Sequence, residues 1–533
     1  MKKTLLMLVA FMATMTAFAD EEGWQRSFTP VADKADLAGI HTAVAGDGSV
    51  YASSTYDQTF SFGGITITDP EGLLSSCIVK YDKDGNEKWT ISLLGKCTIN
   101  AMTTDADGML YVAGRITDEK VEIAGTDGKK EIIENPKAYD WMTDTEAISS
   151  YSAFVVKINS DGLIQAVKTI SSSTNEEITT TIPDTFYWAE ETISVSPRNI
   201  VVDGDKVYVC VTYMGDVAEL GWTGVYVNSW GMLADVYAAG VFSLEKADLS
   251  QPQNVACVRA INAVDKGEEA TAENKLAAAL YAPDDLNFMV KDGVAYVAFF
   301  GSGELILLTP TVSKNFADDP LYYDGEGGTG IEHALFIAKI DGSVACQVLH
   351  TTPITTETLR LHNVVAGGVE DGNIFLGGTF YKSFPWDNTI VSEGQASFVA
   401  SLKASDWSKN WTWTNSAESK ATAMVVTGEE IHAATNAAMY TLRTSNGELK
   451  KTESQGYEDA SCYNDQYVST VFTEKNSVWV YCPKMKPSGI AATQAAANNG
   501  NAKFYNLNGM ELTGAQKGLN IVKTAEGTKK VVK

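Results

Sequence analysis

Aromatic residues concentrate in six long segments that interrupt an otherwise regular β-type sequence pattern. The segments span residues 118–150, 171–196, 215–239, 263–284, 302–332 and 382–395. Aromatic rings supply flat apolar area with polar edges, which suits stacking on sugar rings or filling pockets of a protein partner. The candidate ligand-binding residues are Tyr139, Trp141, Tyr187, Trp188, Trp222, Trp230, Tyr322, Tyr323 and Trp386. The alternative is that these rings only anchor their own loops, since loops of this length need anchors.

Carboxylates occur in the same segments, and a pair of them would act as general acid and base on a glycosidic bond. The sequence assigns no catalytic residue, because a chain with 67 acidic residues brings carboxylates together by chance. The five histidines lie in or beside predicted strands, where a histidine is typically a hydrogen-bonded core residue. The carboxylates in question are Asp140, Asp144, Glu146, Glu190 and Glu191.

The sequence predicts neither a metal site nor a cofactor. Residues 82–87 superficially resemble a calcium loop, but no distal glutamate follows at the required spacing, so a hairpin turn is the favoured interpretation. The seven cysteines are scattered, without a CxxC pair, and we expect free thiols that behave as small buried hydrophobic groups.

The strands that must position these residues are predicted by a repeated sequence motif. In this motif a Gly-containing turn joins two short runs rich in β-branched and aromatic residues. Asp-Gly suits the positive φ angles of a tight hairpin turn. We call these the inner hairpins. They lie at 46–51, 106–114, 203–208, 292–297 and 371–376, with weaker copies at 427–431 and at Lys475–Trp479.

A second kind of hairpin alternates with the first, as in 78–89 and again in 154–162. Two hairpins in alternation form a four-stranded antiparallel unit, which has the content of a propeller blade. The sequence therefore predicts an all-β propeller of about seven blades. A pair of β-sandwiches is the alternative, but it leaves the constant order of hairpins unexplained. The pattern resembles the extracellular propellers that bacterial surface proteins build from degenerate Asp-Gly repeats.

The segment Trp24–Phe28 is similar to Trp89–Leu93, which is the outermost strand of the first complete unit. It precedes any inner hairpin and so has no blade of its own. Because a ring must protect its strand edges from pairing with other molecules, we expect this segment to complete the last blade, whose other strands come from about residues 460–482.

Strand order also predicts two unlike faces. The turns within both kinds of hairpin lie on one side, which we call the turn face. The links between hairpins and between blades lie on the other side, the insertion face, and all six long segments belong to it. Long insertions on one face of a rigid scaffold are where binding usually resides.

Residues 1–19 have the basic, apolar and small-residue order of a secretory signal, so we expect export and a mature chain that begins at Asp20. No later segment is long and apolar enough for a membrane-spanning helix. The net charge of −26 argues against nucleic acid and anionic membranes as partners, because both require a basic surface.

The composition changes after residue 483. A linker is predicted over 484–501, and a small β segment with a basic end over 502–533. This end resembles the C-terminal sorting domain of the type IX secretion system of Bacteroidetes. The resemblance implies that the translocation machinery recognises turns at Asn506, Asn508, Gly509 and Gly518. A structural alternative is that residues 504–512 add a strand to the last blade.

The hypothesis from sequence is an exported, cell-surface propeller, spanning residues 20–483, that binds a glycan or a protein through its insertion face. A carbohydrate-active hydrolase or lyase with carboxylates at the channel mouth is the alternative. A purely structural scaffold within a surface assembly is the third possibility.

Overall fold

The protein is described by a computed structural model, which places strands over most of the chain. The described residues are 23–31, 39–56, 59–62, 65–68, 75–135, 138–140, 145–147, 151–173, 186–187, 194–229, 232–236, 238–260, 284–301, 305–315, 331–341, 344–354, 363–384, 390–415, 418–463, 467–474, 477–483, 503–505, 511–512, 519–524 and 527–532. No helix within these ranges has the length and apolar character needed to cross a membrane.

The first third of the chain contains fifteen strands. They are β1 (Trp24–Val31), β2 (Thr42–Val44), β3 (Val50–Tyr56), β4 (Thr59–Phe62), β5 (Ile65–Thr68), β6 (Ser75–Tyr81), β7 (Glu87–Leu94), β8 (Cys97–Thr104), β9 (Leu110–Ile116), β10 (Lys120–Ala124), β11 (Lys130–Glu134), β12 (Ala138–Asp140), β13 (Thr145–Ala147), β14 (Ser152–Ile158) and β15 (Ile164–Ile170).

The middle of the chain adds thirteen strands and a short 3-10 turn at Ala218–Leu220. The strands are β16 (Phe186–Tyr187), β17 (Ser194–Asp203), β18 (Lys206–Met214), β19 (Val225–Ser229), β20 (Met232–Val236), β21 (Ala238–Glu245), β22 (Gln253–Ala260), β23 (Asp284–Lys291), β24 (Val294–Gly301), β25 (Leu305–Leu308), β26 (Ser313–Asn315), β27 (Ile331–Ile340) and β28 (Val344–Ile354).

The remaining fifteen strands of the described residues lie in the last third of the chain. They are β29 (Asn363–Glu370), β30 (Asn373–Phe384), β31 (Ile390–Lys403), β32 (Lys409–Thr414), β33 (Ala421–Thr427), β34 (Glu430–Thr435), β35 (Met439–Arg443), β36 (Leu449–Glu453), β37 (Asp459–Tyr463), β38 (Tyr467–Glu474), β39 (Ser477–Cys482), β40 (Lys503–Tyr505), β41 (Glu511–Leu512), β42 (Leu519–Thr524) and β43 (Gly527–Val532).

Seven antiparallel sheets form the blades of a propeller, which confirms the fold predicted from the repeats. Their first strands contact one another in a closed ring, from blade 1 round to blade 7 and back. From the inner to the outer strand, blades 1 to 7 are β2-β3-β6-β7, β8-β9-β14-β15, β17-β18-β21-β22, β23-β24-β27-β28, β29-β30-β31-β32, β33-β34-β35-β36 and β37-β38-β39-β1.

The hydrophobic core is divided into clusters, each lying between two neighbouring blades. Between blades 1 and 2, for example, Ile78 and Ile91 of one sheet pack with Phe154 of the next. All three are buried, and burial of such a side chain contributes about 1.5–3 kcal/mol each. Packing against its neighbours therefore contributes much of the stability of each blade.

The N-terminal strand closes the ring as predicted. β1 pairs antiparallel with β39, with Trp24 opposite Cys482 and Phe28 opposite Val478. Phe28 is buried in the cluster between blades 7 and 1. The first strands of the chain and the last strands of the propeller thus share one sheet, and neither blade edge at the chain ends is left open.

Tryptophans on the outer strands form hydrogen bonds to the next blade at the turn face. The indole N–H groups of Trp24, Trp89 and Trp411 donate to the backbone oxygens of Lys83, Ser160 and Thr444, each over 3.0 Å. The Trp24 ring lies so close to Gly85 that a Cβ there would stand 2.7 Å from it. Gly85 also has φ of 76°. Glycine is thus required twice at this turn, by the backbone and by the ring.

Three of the insertions fold into hairpins that extend the outer edge of the preceding blade. β4 and β5 add to β1, β10 and β11 add to β7, and β25 and β26 add to β22. Each hairpin comes from the link between the second and third strands of its own blade. These insertions therefore cover strand edges and join adjacent blades.

One expectation from sequence was wrong in detail. Lys475–Trp479 is not an inner hairpin, because β38 and β39, which flank residues 475–476, are the second and third strands of blade 7. The inner hairpin of that blade joins β37 to β38. Of the two readings of the tail, the described residues favour a separate β segment over a strand added to the last blade, since β40 pairs with β41 and β42 in a four-stranded sheet of its own.

Candidate functional site

The two faces of the propeller differ in the way that strand order predicts. On the turn face, the longest link within a hairpin is 246–252. On the insertion face, links run over 117–151, 171–193, 215–237, 261–283 and 302–330, and also over 57–74, which was not predicted. The predicted insertion at 382–395 is mainly strand, because β30 and β31 continue into it and pair as far as Phe384 and Ile390.

Two of the insertions meet in one small sheet on this face. β16, from the link between blades 2 and 3, pairs in parallel with β20, which also pairs with β19. Tyr187 is the register partner of Leu233. Trp188 directly follows β16, and Trp230 falls between β19 and β20 in the sequence. The fold thus brings together two chain segments that carry candidate ligand-binding residues.

The insertion of blade 2 carries a second small hairpin, made of β12 and β13. Its register places Tyr139 opposite Glu146 and Asp140 opposite Thr145. One candidate aromatic and two of the acidic candidates therefore share a single hairpin. Asp144, Glu190 and Glu191 lie outside the described residues.

Trp222 is the one candidate aromatic whose side chain is described, and it is buried. Only 3% of its surface is exposed. Its ring stacks on Tyr213 with centroids 5.0 Å apart and meets the edge of Phe242 at 6.4 Å. Gly240 provides the space, since a Cβ there would lie 2.5 Å from the indole. Trp222 thus anchors its loop to blade 3, and it presents no ring to a ligand.

The other candidates stay predictions. For Tyr139 and Tyr187 the backbone alone is described. The following lie outside the described residues: Trp141, Trp188, Trp230, Tyr322, Tyr323, Trp386, and the tail residues Asn506, Asn508, Gly509 and Gly518.

A belt of polar side chains joins the first strands of neighbouring blades around the channel. Asn199 Nδ2 donates to Asn287 Oδ1 over 2.9 Å, and Asn287 Nδ2 donates to the Val364 oxygen over 3.4 Å. In blade 5, Asn363 Nδ2 donates to the oxygen of Ala421 in blade 6 over 3.0 Å. Sequence analysis missed this belt, although an asparagine recurs at the start of the first-strand pattern in four blades.

The belt continues from blade 6 to blade 7 and across the seam between the two ends of the propeller. Thr422 Oγ1 donates to the Tyr457 oxygen over 2.8 Å. Asp459 Oδ2 then accepts the Thr42 backbone N–H over 3.0 Å and lies 3.3 Å from His41 Nδ1. Within the described ranges no hydroxyl or thiol side chain bonds to the imidazole of His41. The pair joins blade 1 to blade 7.

The turn face offers little chemistry by comparison. Asp82 Oδ1 accepts the backbone N–H groups of Asp84 and Asn86, and Lys88 Nζ lies 2.9 Å from Oδ2. Partial burial raises the pKa of Asp82, but these hydrogen bonds outweigh it and hold the pKa well below its usual range. The carboxylate oxygens of this turn are thus occupied, as a hairpin turn requires. In the part of the chain that the structure describes, no cluster of three or more His, Cys, Asp or Glu residues is arranged to hold a metal ion.

Comparison with known proteins finds only distant structural similarity. No protein-family profile and no curated protein sequence matches the chain. Similar solved structures include BamB from Moraxella catarrhalis, at 9% identity and a TM-score of 0.34, covering 85% of this chain and 99% of that one. Saccharomyces cerevisiae Sqt1 has 10% identity and a TM-score of 0.37, covering 86% and 100%. A Dyadobacter fermentans protein of unknown function has 10% identity and a TM-score of 0.35, covering 87% and 99%.

Proposed function

We propose that this protein is an exported, surface-associated propeller that binds a glycan or a protein through its insertion face. The observation that carries the proposal is the one-sided placement of the long links. The turn face has only short turns, whose polar groups are largely used within the turns and in contacts between blades. The insertion face has all the long links, and two of them are joined in the sheet of β16, β20 and β19.

The described part of the channel mouth favours binding over catalysis. The belt side chains are engaged with neighbouring blades, and His41 and Asp459 join blade 1 to blade 7. A rigid ring that carries variable links is suited to recognition, because the ring fixes the positions from which the links depart. Export and the role of the tail in sorting are part of the same proposal and rest on sequence.

The test is a binding screen with a variant of the insertion face. The full mature chain is applied to a glycan array and used in pull-downs, beside a variant with Trp141→Ala, Trp188→Ala and Trp230→Ala. We expect the variant to lose most binding, since aromatic anchors dominate such interfaces. Leu449→Ala, an exposed change on blade 6, is the control. Binding that is unchanged in the triple variant contradicts the proposal, and release of reducing ends from a polysaccharide supports the hydrolase or lyase instead.

A further inference from the structure

A groove of about 510 Å³ lies on the outer rim between blades 1 and 2. One wall is β11, the last strand added to the sheet of blade 1, and the other is β15, the outer strand of blade 2. Its lining includes Glu131, Ile132, Glu134, Ile164, Ala166 and Thr169.

Hydrogen bonds join the two sides of the groove at both of its ends, so the fold fixes the shape of the groove. At the turn face, Thr126 Oγ1 donates to the Asp161 oxygen over 2.7 Å. At the insertion-face end, Ser152 Oγ donates to Asn135 Oδ1 over 2.5 Å. Ile133 is fully buried in the cluster between the two blades. These contacts fix β11 beside β15 along its length.

Both walls are edges of β-sheets. β11 and β15 each stand last in the order of their sheet, and they belong to different sheets. Alternate backbone N–H and C=O groups of an edge strand point away from its sheet partner. An extended peptide uses such groups when it binds along a strand. The five residues of β11 match an extended segment of about the same length.

The groove also exposes an apolar side chain. Ile132 is 46% exposed, and within the described ranges only Leu449 is a comparably exposed large hydrophobic residue. Covering this side chain removes apolar area from water, which favours binding of a segment with an aliphatic residue.

The lining of the groove contains two carboxylates and no basic residue. Two lysines at its margins are engaged elsewhere, since Lys130 Nζ lies 2.7 Å from Glu122 and Lys168 Nζ lies 2.5 Å from Glu219, and a third, Lys120, is the register partner of Glu134 on the neighbouring strand. Glu131 and Glu134 have no ion-pair partner within the described part of the chain, and both are exposed. Charge complementarity therefore favours a basic occupant.

We propose that the groove binds an extended, lysine-rich segment of a protein partner. The segment lies along β11, with an aliphatic side chain over Ile132, a lysine beside Glu134 on the same face of the strand, and another lysine beside Glu131 on the opposite face. This surface is on the rim, apart from the insertion face, so the inference does not depend on what the insertion face binds.

The test uses the full mature chain and a fluorescent heptapeptide of lysines with a single central valine, which places valine over Ile132 and lysine beside both glutamates. We expect saturable binding that added salt weakens. Glu131→Lys combined with Glu134→Lys is expected to weaken the affinity about tenfold or more, because it replaces attraction with repulsion. Ile132→Ser is expected to weaken binding as well.

Matched controls make the result decisive. Glu87→Lys with Glu429→Lys changes the net charge equally at two exposed positions elsewhere. Leu449→Ser removes the other exposed aliphatic side chain. Circular dichroism checks that each variant is folded. The proposal is overturned if the peptide does not saturate, or if the control pair weakens binding as much as the groove pair does. Self-association of the wild-type chain that Ile132→Ser abolishes also overturns it, because a second copy is then the occupant.

Discussion

At the scale of single residues, the Asp-Gly turns serve two purposes, and only one is visible in the sequence. Glycine supplies the positive φ angle that a tight turn needs. In the turn of blade 1 it also leaves room for the Trp24 ring of the preceding blade. In the second kind of hairpin, glycine therefore meets a requirement of packing between blades as well as of the turn, since Gly162 and Gly447 face Trp89 and Trp411 in the same way. The inner hairpins need glycine for the turn alone at positions such as Gly108.

A pair of alanine substitutions separates the two purposes. Gly85 and Gly108 both have φ of 76°, but a Cβ meets the Trp24 ring at 2.7 Å in the first case and nothing within 4 Å in the second. Both substitutions carry the backbone strain of about 1–2 kcal/mol. We expect Gly85→Ala to lower the free energy of unfolding by about 1–3 kcal/mol more than Gly108→Ala, because of overpacking. Urea unfolding at neutral pH measures the free energy of unfolding of both variants. An equal decrease in the two variants contradicts a role for the contact between the Trp24 ring and Gly85.

The Asp82 turn gives a prediction about pH. Its pKa is lowered in the folded state, so its stabilising effect is present above the ordinary carboxyl pKa of about 4 and is lost as the pH falls toward the folded pKa. Asp82→Ala is expected to lower the free energy of unfolding by about 1–2 kcal/mol at pH 7, since it removes hydrogen bonds to a charged acceptor. The difference from wild type should shrink below about pH 4.

The neighbouring Asp84 provides the control for that measurement. Its side chain is 65% exposed and pairs with Lys83, and exposed pairs contribute little. Urea unfolding of Asp84→Ala is therefore expected to show almost no loss at any pH. A difference between Asp82→Ala and wild type that stays constant from neutral to acid pH contradicts the assignment.

At the scale of elements, the closure of the ring by β1 was predictable because Trp24–Phe28 is similar in sequence to Trp89–Leu93, which belongs to an outer strand. The error at Lys475–Trp479 has a physical reason. Links at both ends of a blade use the same turn residues, so the residues of a turn do not reveal which two strands it joins.

The buried position of Trp222 was not predictable either, because it depends on Gly240 and Phe242 of a later strand. In the same way, the sequence of an inserted hairpin does not indicate that it pairs with the outer strand of the preceding blade.

Removal of β1 tests the closure directly. A chain that lacks residues 1–31 exposes the edge of β39 and loses the buried Phe28. We expect it to associate or unfold, because an open edge strand pairs with other chains. A synthetic peptide of residues 22–31 is expected to restore a monomer with the wild-type thermal midpoint. Size-exclusion chromatography and thermal melting measure this, with a peptide carrying proline at position 26 as control. A stable monomer without any peptide contradicts the closure.

At the scale of the whole molecule, the strand order and the two faces follow from the repeat, whereas the ligand does not. Repetition is periodic and is encoded in every blade, so the architecture survives the divergence of single copies. The insertions are unique in sequence, and the groove at β11 exists only because one insertion returns to the preceding blade. Surfaces of this kind arise from contacts between distant segments, and no local pattern predicts them.

The overall charge gives a last prediction. The chain has 41 basic and 67 acidic residues, a net charge of −26. Such an excess opposes the compact state through self-repulsion, and salt screens it as the Debye length falls from about 30 Å at 0.01 M to about 3 Å at 1 M. We therefore expect the thermal midpoint at pH 7 to rise with sodium chloride, and to rise equally with potassium chloride if screening is the cause. Near pH 4.6, the isoelectric point, the net charge vanishes and the effect should disappear. A midpoint that falls with salt at pH 7 would show that local ion pairs, such as Lys206 with Glu245, outweigh the repulsion between the excess carboxylates.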